Sequence, residues 1–370
     1  LLGEHVGGFV PFAFDFELET TGWVDLVVLV DNRINSQMNP LHLEYFDWYH
    51  YGGIARSVAL HHLGSGWVDD LKVTPVNLQP PTIEVQLVLQ ADQDMTETVA
   101  VFVDEQEVMQ EEVEVRESVT LRFDITLEGA ELWSPDAPNL HFLRVEFGND
   151  DLIERFGIRM IEVSGKQILL NQQPLRLLGF NRHEIHPDCG HTFPDGLLLT
   201  DIQLLKEMHC NFVRGSHYPQ DARFLDLCDE QGILIWSEGI GWQHTDEHLN
   251  DPAFLNAQKT HLQEMVQAGY NHPSIFVWGI INESESHKVE SRDGYQALLG
   301  TLRELDASRP VTYATCHPYD DLNYDLVDII SINRYPGWYE GELEGIPAVL
   351  DKLSAHLEEE GFGNKPLIIS

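Results

Sequence analysis

The run SIFVWGIINE, residues 274–283, decides the fold, because it is a long uncharged stretch that ends abruptly in Asn282 and Glu283. Apolar residues in such close succession are typical of a strand that is buried on both faces, as in a parallel sheet covered by helices. In barrels built from such strands, the active residues lie at the carboxyl ends. The segment therefore predicts a buried strand that delivers two polar side chains to a functional site.

Similar apolar runs alternate with helical patterns from residue 156 onward. These runs cover residues 175–180, 211–215, 233–236, 275–281, 311–314, 327–332 and 367–369. Helical segments such as 197–208 and 221–231 separate them. Alternating β and α segments predict a parallel sheet with helices outside. Seven runs without a glycine-rich dinucleotide signature favour a (β/α)₈ TIM barrel over a Rossmann fold.

The chain before the barrel has the sequence pattern of an all-β protein. From residue 67 to about 154, short β runs at 83–89, 99–103, 119–125 and 142–147 are separated by turn residues and predict a sandwich. Further upstream, alternation at 6–16 and an apolar run at 23–30 predict two strands, and a loop rich in Asn and Pro follows at 35–40.

The charge balance excludes some partners. The chain has 22 basic and 61 acidic residues, for a net charge of −39. Such an anionic surface repels nucleic acid and acidic membranes, so we expect neither as a partner. A solvated acidic surface and adaptation to high salt are both compatible with this charge.

Four scattered cysteines without metal-like spacing favour a reducing, cytoplasmic location. No apolar run is long enough to span a membrane.

Glu283 is the strongest candidate catalytic residue. It follows a long apolar strand, and partial burial raises the pKa of a carboxyl group, as a general acid near neutral pH requires. A rim glutamate in a salt bridge is the structural alternative. The other strand ends also carry polar and aromatic residues, a combination that suits sugar recognition. These residues are Asn181, Arg182, His183, Glu184, Arg214, Ser216, His217, Tyr218, Glu238, Asn333, Arg334, Tyr335, Trp338 and Tyr339.

The motifs around these residues resemble those of glycoside hydrolase family 2, which includes β-galactosidases and β-glucuronidases. The matching stretches are NHPSI at 271–275, Asn282-Glu283, GFNRHE at 179–184, RGSHYP at 214–219, LWSP at 132–135 and GGIAR at 52–56. The resemblance implies a multidomain chain. Residues 1–66 would form a partial jelly-roll sugar-binding domain, 67–155 an immunoglobulin-like β-sandwich, and 156–370 an incomplete TIM-barrel catalytic domain.

The resemblance also implies a retaining exo-glycosidase in which two glutamates act about 5–5.5 Å apart. Glu283 matches the acid/base, and Asn282 matches the residue that binds the sugar 2-hydroxyl. His183 matches a substrate contact, and Asp47 matches an Asp that reaches the sugar from the jelly roll. We expect further substrate contacts from the remaining strand-end residues, namely His217, Glu238, Asn333, Tyr335, Trp338 and Tyr339.

The second glutamate of the family pattern is expected outside this sequence. The family pattern around the nucleophile matches KPLIIS at 365–370, and the nucleophilic Glu would follow directly after Ser370. Seven strands also cannot close an eight-stranded barrel. We therefore expect a fragment that is cut at both ends and is inactive alone.

Two segments point to different sugars. NRYPGWY at 333–339 is closest to β-glucuronidases, whereas NRHEIHP at 181–187 is more like β-galactosidases. We expect β-D-glucuronosides first and β-galactosides as the alternative.

Ile240 stands where metal-binding relatives carry His, so we expect no metal or other cofactor. The expected partner is a small glycoside or oligosaccharide, and a homo-oligomer is compatible with the family. A non-catalytic carbohydrate-binding relative is the alternative of another class, although a binder would not need Glu283.

Overall fold

The N-terminal part of the chain forms no regular secondary structure where it is described. The computed structural model describes residues 1–17, 22–33, 43 and 45–370, so the loop predicted at 35–40 lies outside the described residues. Within the described part, the first strand begins at Gly66, and the predicted strands at 6–16 and 23–30 are wrong. A strand is stabilised by pairing with a neighbour, and the described residues offer 23–30 no paired neighbour. Its apolar side chains are consequently exposed.

Residues 66–156 form an antiparallel β-sandwich. Its strands are β1 Gly66–Leu78, β2 Pro81–Ala91, β3 Met95–Val103, β4 Gln106–Val115, β5 Ser118–Thr126, β6 Trp133–Ser134, β7 Ala137–Pro138, β8 His141–Phe147 and β9 Asp150–Phe156. One sheet has the order β1-β2-β5 and the other β4-β3-β8-β9, while β6 and β7 pair separately. The predicted sandwich is therefore confirmed.

Alternating side chains make the core of this sandwich. In β2 every second residue is buried, among them Ile83, Val85 and Leu87, which have no exposed surface. No strand was predicted for β4, because four of its ten residues are acidic and most of them are exposed. It lies at the edge of its sheet, where charged side chains discourage pairing with other chains.

Seven parallel strands form the largest sheet, and its order follows the chain. They are β13 Gly179–Arg182, β14 Phe212–Gly215, β15 Leu234–Glu238, β16 Ile275–Asn282, β17 Val311–Thr315, β18 Ile330–Ile332 and β19 Leu367–Ile369. A small antiparallel sheet precedes them, made of β10 Ile161–Ser164, β11 Gln167–Leu170 and β12 Gln173–Leu175. The predicted number of barrel strands is confirmed, and within the described residues β13 and β19 are the edges of the sheet.

Helices cover the outside of this sheet. They are α1 Asp195–Glu207, α2 Ala222–Gln231, α3 Asp246–Leu249, α4 Pro252–Gly269, α5 Arg292–Leu305 and α6 Ile346–Glu359, with short 3-10 turns at Val289–Ser291, Tyr324–Leu326 and Leu343–Gly345. The side chains of Asp221 and Asp251 accept backbone hydrogen bonds at the starts of α2 and α4, as favourable N-caps do. None of the helices in the described part of the chain is both long and apolar enough to cross a membrane.

Several buried contacts fix the sandwich to the barrel. Trp133 is fully buried, and its Nε1 donates to the Asp229 carbonyl oxygen at 2.8 Å. The Asn271 side chain accepts from Val73 N and donates to Leu71 O. Asn271 precedes the central strand β16, so these contacts hold the sandwich to the same element that carries Asn282.

Candidate active site

Four polar residues at the carboxyl ends of the barrel strands form one connected group, the polar floor (Arg214, Glu238, Asn282 and Asn333). Arg214 Nε lies 2.9 Å from Glu238 Oε2, and Arg214 Nη2 lies 2.8 Å from the same oxygen. Nη2 also donates to Asn282 Oδ1 at 2.7 Å, and Nη1 donates to Asn333 Oδ1 at 3.2 Å. One guanidinium therefore ties together residues from β14, β15, β16 and the end of β18.

The polar floor is buried, so its charged side chains are stabilised by one another and not by water. Arg214 and Glu238 have no exposed surface, and the guanidinium of Arg214 stacks over Trp236. Burial alone would raise the pKa of Glu238, but Arg214 and His217 outweigh that effect and the pKa is lowered. Glu238 is consequently held as a carboxylate beneath the open side of the site.

Glu283 lies directly above this floor and is half-buried. Its backbone has a φ of 49°, an uncommon conformation for a residue with a side chain, and its N–H donates to Ala314 O at 2.9 Å. Asn333 Nδ2 donates to Glu283 Oε1 at 2.7 Å. Gln243 Nε2 approaches Oε2 at 3.5 Å from the other side. These contacts hold the carboxylate in one orientation.

Asn333 connects more elements than any sequence pattern suggested. Its Nδ2 donates to Asn282 Oδ1 at 3.0 Å as well as to Glu283, and its Oδ1 also accepts from Ser370 Oγ at 2.9 Å. Ser370 follows β19, so Asn333 couples the carboxyl ends of β16 and β19 across the sheet. The amide orientation is consistent, because both nitrogen contacts are acceptors and both oxygen contacts are donors.

Aromatic and imidazole side chains surround the floor above β13 and β14. The ring of Trp48 lies 6.0 Å from that of His183 and 5.9 Å from that of His217, measured between centroids. His217 Nδ1 lies 2.8 Å from Glu238 Oε1. His183 lies at the entrance of the site, where part of its surface is accessible to solvent. The protein groups around its ring still remove much of its hydration, and together with the neighbouring His217 they lower its pKa to about 4. Asp47 is exposed next to Trp48.

An arginine from the N-terminal part holds this aromatic group in place. Arg56 Nη2 donates to Pro219 O at 2.6 Å and to Glu184 Oε1 at 3.2 Å. Glu184 is fully buried and also accepts from Asp221 N at 2.8 Å. The ring of Phe9 stacks on that of Tyr218 with 3.9 Å between centroids. The described N-terminal residues thus contribute to the site even though they form no strand.

The loop after β18 places three aromatic residues on the remaining side. Tyr335 is half-buried, and burial is the first cause that raises its pKa to about 12, with the charge of Glu283 adding to it against the opposing effect of Arg214. Trp338 and Tyr339 are 80% and 77% exposed, so they lie at the outer edge.

The structure brings the sequence-predicted residues together at one face of the sheet, but at two depths. Asn282, Asn333 and Glu238 are buried at the bottom of the site, while Asp47 and His183 lie at its solvent-exposed entrance. Sequence reasoning missed the site role of Trp48, Gln243 and Arg56, and it named Arg214 only as one of many strand-end residues. Arg214 had one visible signal, a charged residue inside an apolar strand-end motif. Trp48 lies among other aromatic residues at 45–51, a pattern that is typical of core packing, and nothing in the sequence pointed to Gln243.

No metal ligand set is evident at this face within the described part of the chain. Ile240 is buried and apolar, so it offers no ligand beside Glu238. Potential ligand atoms do converge elsewhere, at Asp226, Asp229 and His272. Arg155 donates to Asp226 at 2.7 Å, and His272 Nδ1 lies 2.6 Å from Asp229 Oδ2, so protein groups already satisfy these carboxylates. We interpret that cluster as a link between sandwich and barrel.

Comparisons with known proteins find relatives of similar sequence. A β-galactosidase from Thermoanaerobacter pseudethanolicus is 33% identical over 84% of this chain and 43% of its own length. A β-glucuronidase from Streptococcus agalactiae is 28% identical over the whole chain and 68% of its own length. The chain thus spans 43% to 68% of the length of these two curated relatives.

Solved structures are also similar. A β-galacturonidase from Eisenbergiella tayi bound to galacturonate superposes with a TM-score of 0.86 at 33% identity, covering 92% of this chain and 62% of that one. A β-D-glucuronidase from Dictyoglomus thermophilum gives 0.75 at 26% identity, covering 88% and 57%. The family model for the glycosyl hydrolases family 2 TIM barrel domain matches residues 161–370, and the general model for the family matches 68–159. The chain belongs to glycosyl hydrolases family 2.

Proposed function

We propose that the natural full-length protein hydrolyses terminal β-D-glucuronosides with retention of configuration, and that Glu283 is its acid/base. The observation that carries this proposal is the carboxylate of Glu283, held by Asn333 at 2.7 Å directly above the paired Arg214 and Glu238. A fixed, half-buried carboxyl group at a strand end is suited to proton transfer. The family membership supplies the reaction class.

In this mechanism Glu283 protonates the glycosidic oxygen while a second carboxylate attacks the anomeric carbon, so that the leaving alcohol departs and a glycosyl ester forms. Glu283 then removes a proton from water, which cleaves that ester and releases the sugar. We propose that the second carboxylate belongs to the residue after Ser370, whose hydroxyl lies 2.9 Å from Asn333 Oδ1.

We assign substrate contacts by depth. Asp47, His183, Tyr335, Trp338 and Tyr339 are candidates for direct contact, because they are at least partly accessible. Asn282 is as buried as the other floor residues, and its proposed contact with the 2-hydroxyl rests on the family pattern instead. The buried residues Glu238 and Asn333 would instead position their neighbours.

The domain plan also remains a proposal. We propose a partial jelly roll at 1–66, an immunoglobulin-like sandwich at 67–155 and the barrel at 156–370. The three- and four-stranded sheets support the second domain, since seven strands is the number in a constant-type immunoglobulin fold.

A substrate panel tests the glycone. The p-nitrophenyl β-D-glucuronide, β-D-galacturonide and β-D-galactoside share one leaving group, so their kcat/KM values compare the sugars alone. We expect the glucuronide to be fastest. The similar galacturonidase structure makes galacturonide the second candidate, and a fastest galactoside would contradict a uronide specificity.

Glu283→Gln separates an enzyme from a non-catalytic binder. The amide keeps the shape of the side chain but cannot donate the proton of a carboxylic acid. We expect turnover to be lost while the free sugar acid still binds in calorimetry. A wild-type protein that binds sugar without turning over any member of the panel would support the binder.

A further inference from the structure

The position of Glu283 defines where the leaving group of a substrate must lie. His183 and His217 follow β13 and β14, Glu238 is the last residue of β15, and Trp48 packs over the two histidines. Glu283 follows β16, the next strand along the sheet. A sugar above β13–β15 with its anomeric carbon at Glu283 would direct its leaving group toward the loops after β16 and β17.

Those two loops are tied together by buried hydrogen bonds. Ser286 Oγ lies 2.9 Å from Thr315 Oγ1, and neither residue has exposed surface. Leu322 N and Asn323 Nδ2 both donate to Ser286 O at 3.0 Å. Side chains that these loops present to the outside are consequently held at fixed positions.

The loops present a pair of imidazoles, His287 and His317. Their ring centroids are 3.9 Å apart with 33° between the planes, and both side chains are partly exposed. His287 is four residues beyond Glu283. The backbone N–H of Glu283 donates to Ala314 O at 2.9 Å, three residues before His317, so the loop that carries His317 begins beside Glu283.

The residues around the imidazole pair indicate which class of leaving group would bind there. Burial, followed by the neighbouring His287, lowers the pKa of His317, so this ring is uncharged near neutral pH. A flat neutral ring offers a stacking surface to an aromatic group. The carboxylates of Asp320 and Glu285 lie nearby, and they disfavour an anionic leaving group.

We propose that His287 and His317 form the subsite for the leaving group, and that this subsite favours an uncharged, planar aromatic aglycone. The inference rests on the proposed glycosidase function and adds the class of aglycone to it. It assigns the two histidines to specificity, because the glycone contacts at the ends of β13–β15 lie on the other side of Glu283.

The test compares two substrates that share the glycone selected by the panel above, one with a 4-methylumbelliferyl and one with a methyl aglycone. The kcat/KM ratio is measured for the natural full-length wild type, His287→Ala, His317→Ala and His317→Phe. Loss of a stacking partner should lower the aryl-to-methyl ratio by roughly 2- to 10-fold in the alanine variants. His317→Phe should restore it, because stacking needs a ring and not an imidazole.

Two controls separate this effect from damage to the fold or the glycone site. His62→Ala changes an exposed histidine upstream of β1 and should leave the ratio unchanged. Inhibition by the free sugar should also be unchanged in every variant. An unchanged ratio, or an equal loss on both substrates, would overturn the subsite alone. If the wild type hydrolyses neither substrate, the proposed function fails and the subsite fails with it.

Discussion

The polar floor and the rim (Asp47, His183, Trp338 and Tyr339) differ in what holds their side chains. In the floor, Arg214 and Glu238 are fully buried, and each polar group is a partner of another. In the rim, Trp338 is 80% exposed and contacts a neighbouring ring. Removing a floor residue leaves a buried charge unpaired, whereas removing a rim residue costs only contact with the substrate. The floor should therefore govern stability and catalysis, and the rim the strength of substrate binding, with His183 adding a pH-dependent contribution to stability.

Breaking the floor should have the largest effect. Arg214→Met leaves the Glu238 carboxylate buried without its main partner, and such losses typically cost about 3–5 kcal/mol. We expect the free energy of unfolding, measured in urea, to fall by about that amount. Lys166→Met is the control, because Lys166 and Glu358 are both 62% exposed and should be replaceable without loss. Equal effects of the two substitutions would contradict the distinction.

Asn333→Asp tests the link between the floor and Glu283. The substitution removes a donor to a carboxylate, and hydrogen bonds to charged groups are worth about 1.5–3 kcal/mol, or roughly 10- to 150-fold in kcat/KM. The added negative charge should also move the alkaline limb of the kcat/KM profile to higher pH. Asn256→Asp, an exposed change on α4, should alter neither. An Asn333→Asp profile that superposes on the wild type would contradict a positioning role.

His183 should make the stability of the protein depend on pH. Its pKa in the folded protein is about 4, below its ordinary value of 6.5, so the unfolded chain binds a proton in this window that the folded chain does not. Stability is therefore lost as the pH falls from 6.5 to 4. We expect His183→Gln to reduce this loss in urea titrations. His261, also lowered to about 4, should leave a residual slope. An unaltered slope would show that His183 is not desolvated.

The smallest effect is expected at the rim. Trp338→Ala should raise KM by roughly 2- to 10-fold through lost stacking, with kcat and the urea midpoint unchanged. Phe142→Ala, which removes a 51% exposed ring from the sandwich, should change neither kinetic constant. A drop in the urea midpoint for Trp338→Ala would mean that the rim supports the fold as well.

The parts of the fold that the sequence predicted are those with local signals. The apolar run before Asn282 became β16, whose residues are all buried, and the alternating run at 83–89 became part of β2. The apolar run at 23–30 has an equally clear local signal, yet it forms no strand. A strand depends on hydrogen bonds to partners elsewhere, and a local pattern does not reveal whether those partners are present.

In the site, as in the fold, local sequence signals predicted some residues, whereas contacts between distant residues could not be predicted. Strand ends identified Asn282 and Glu283, because the carboxyl ends of parallel strands share one face. The pairing of Arg214 with Glu238 and the contacts of Asn333 join residues 24 to 119 positions apart, and no spacing rule predicts them. The contact from Arg56 to Glu184 spans 128 positions. Long-range polar pairing was thus visible only in three dimensions.

The most direct test of the account is the dependence of Glu283→Gln on the leaving group. If Glu283 donates the proton to the glycosidic oxygen, the variant should lose most kcat/KM on an alkyl glycoside, whose leaving group needs that proton. It should lose far less on a 2,4-dinitrophenyl glycoside of the same sugar, whose leaving group departs as an anion. An equal loss on both substrates would contradict the assignment of Glu283 as the acid/base.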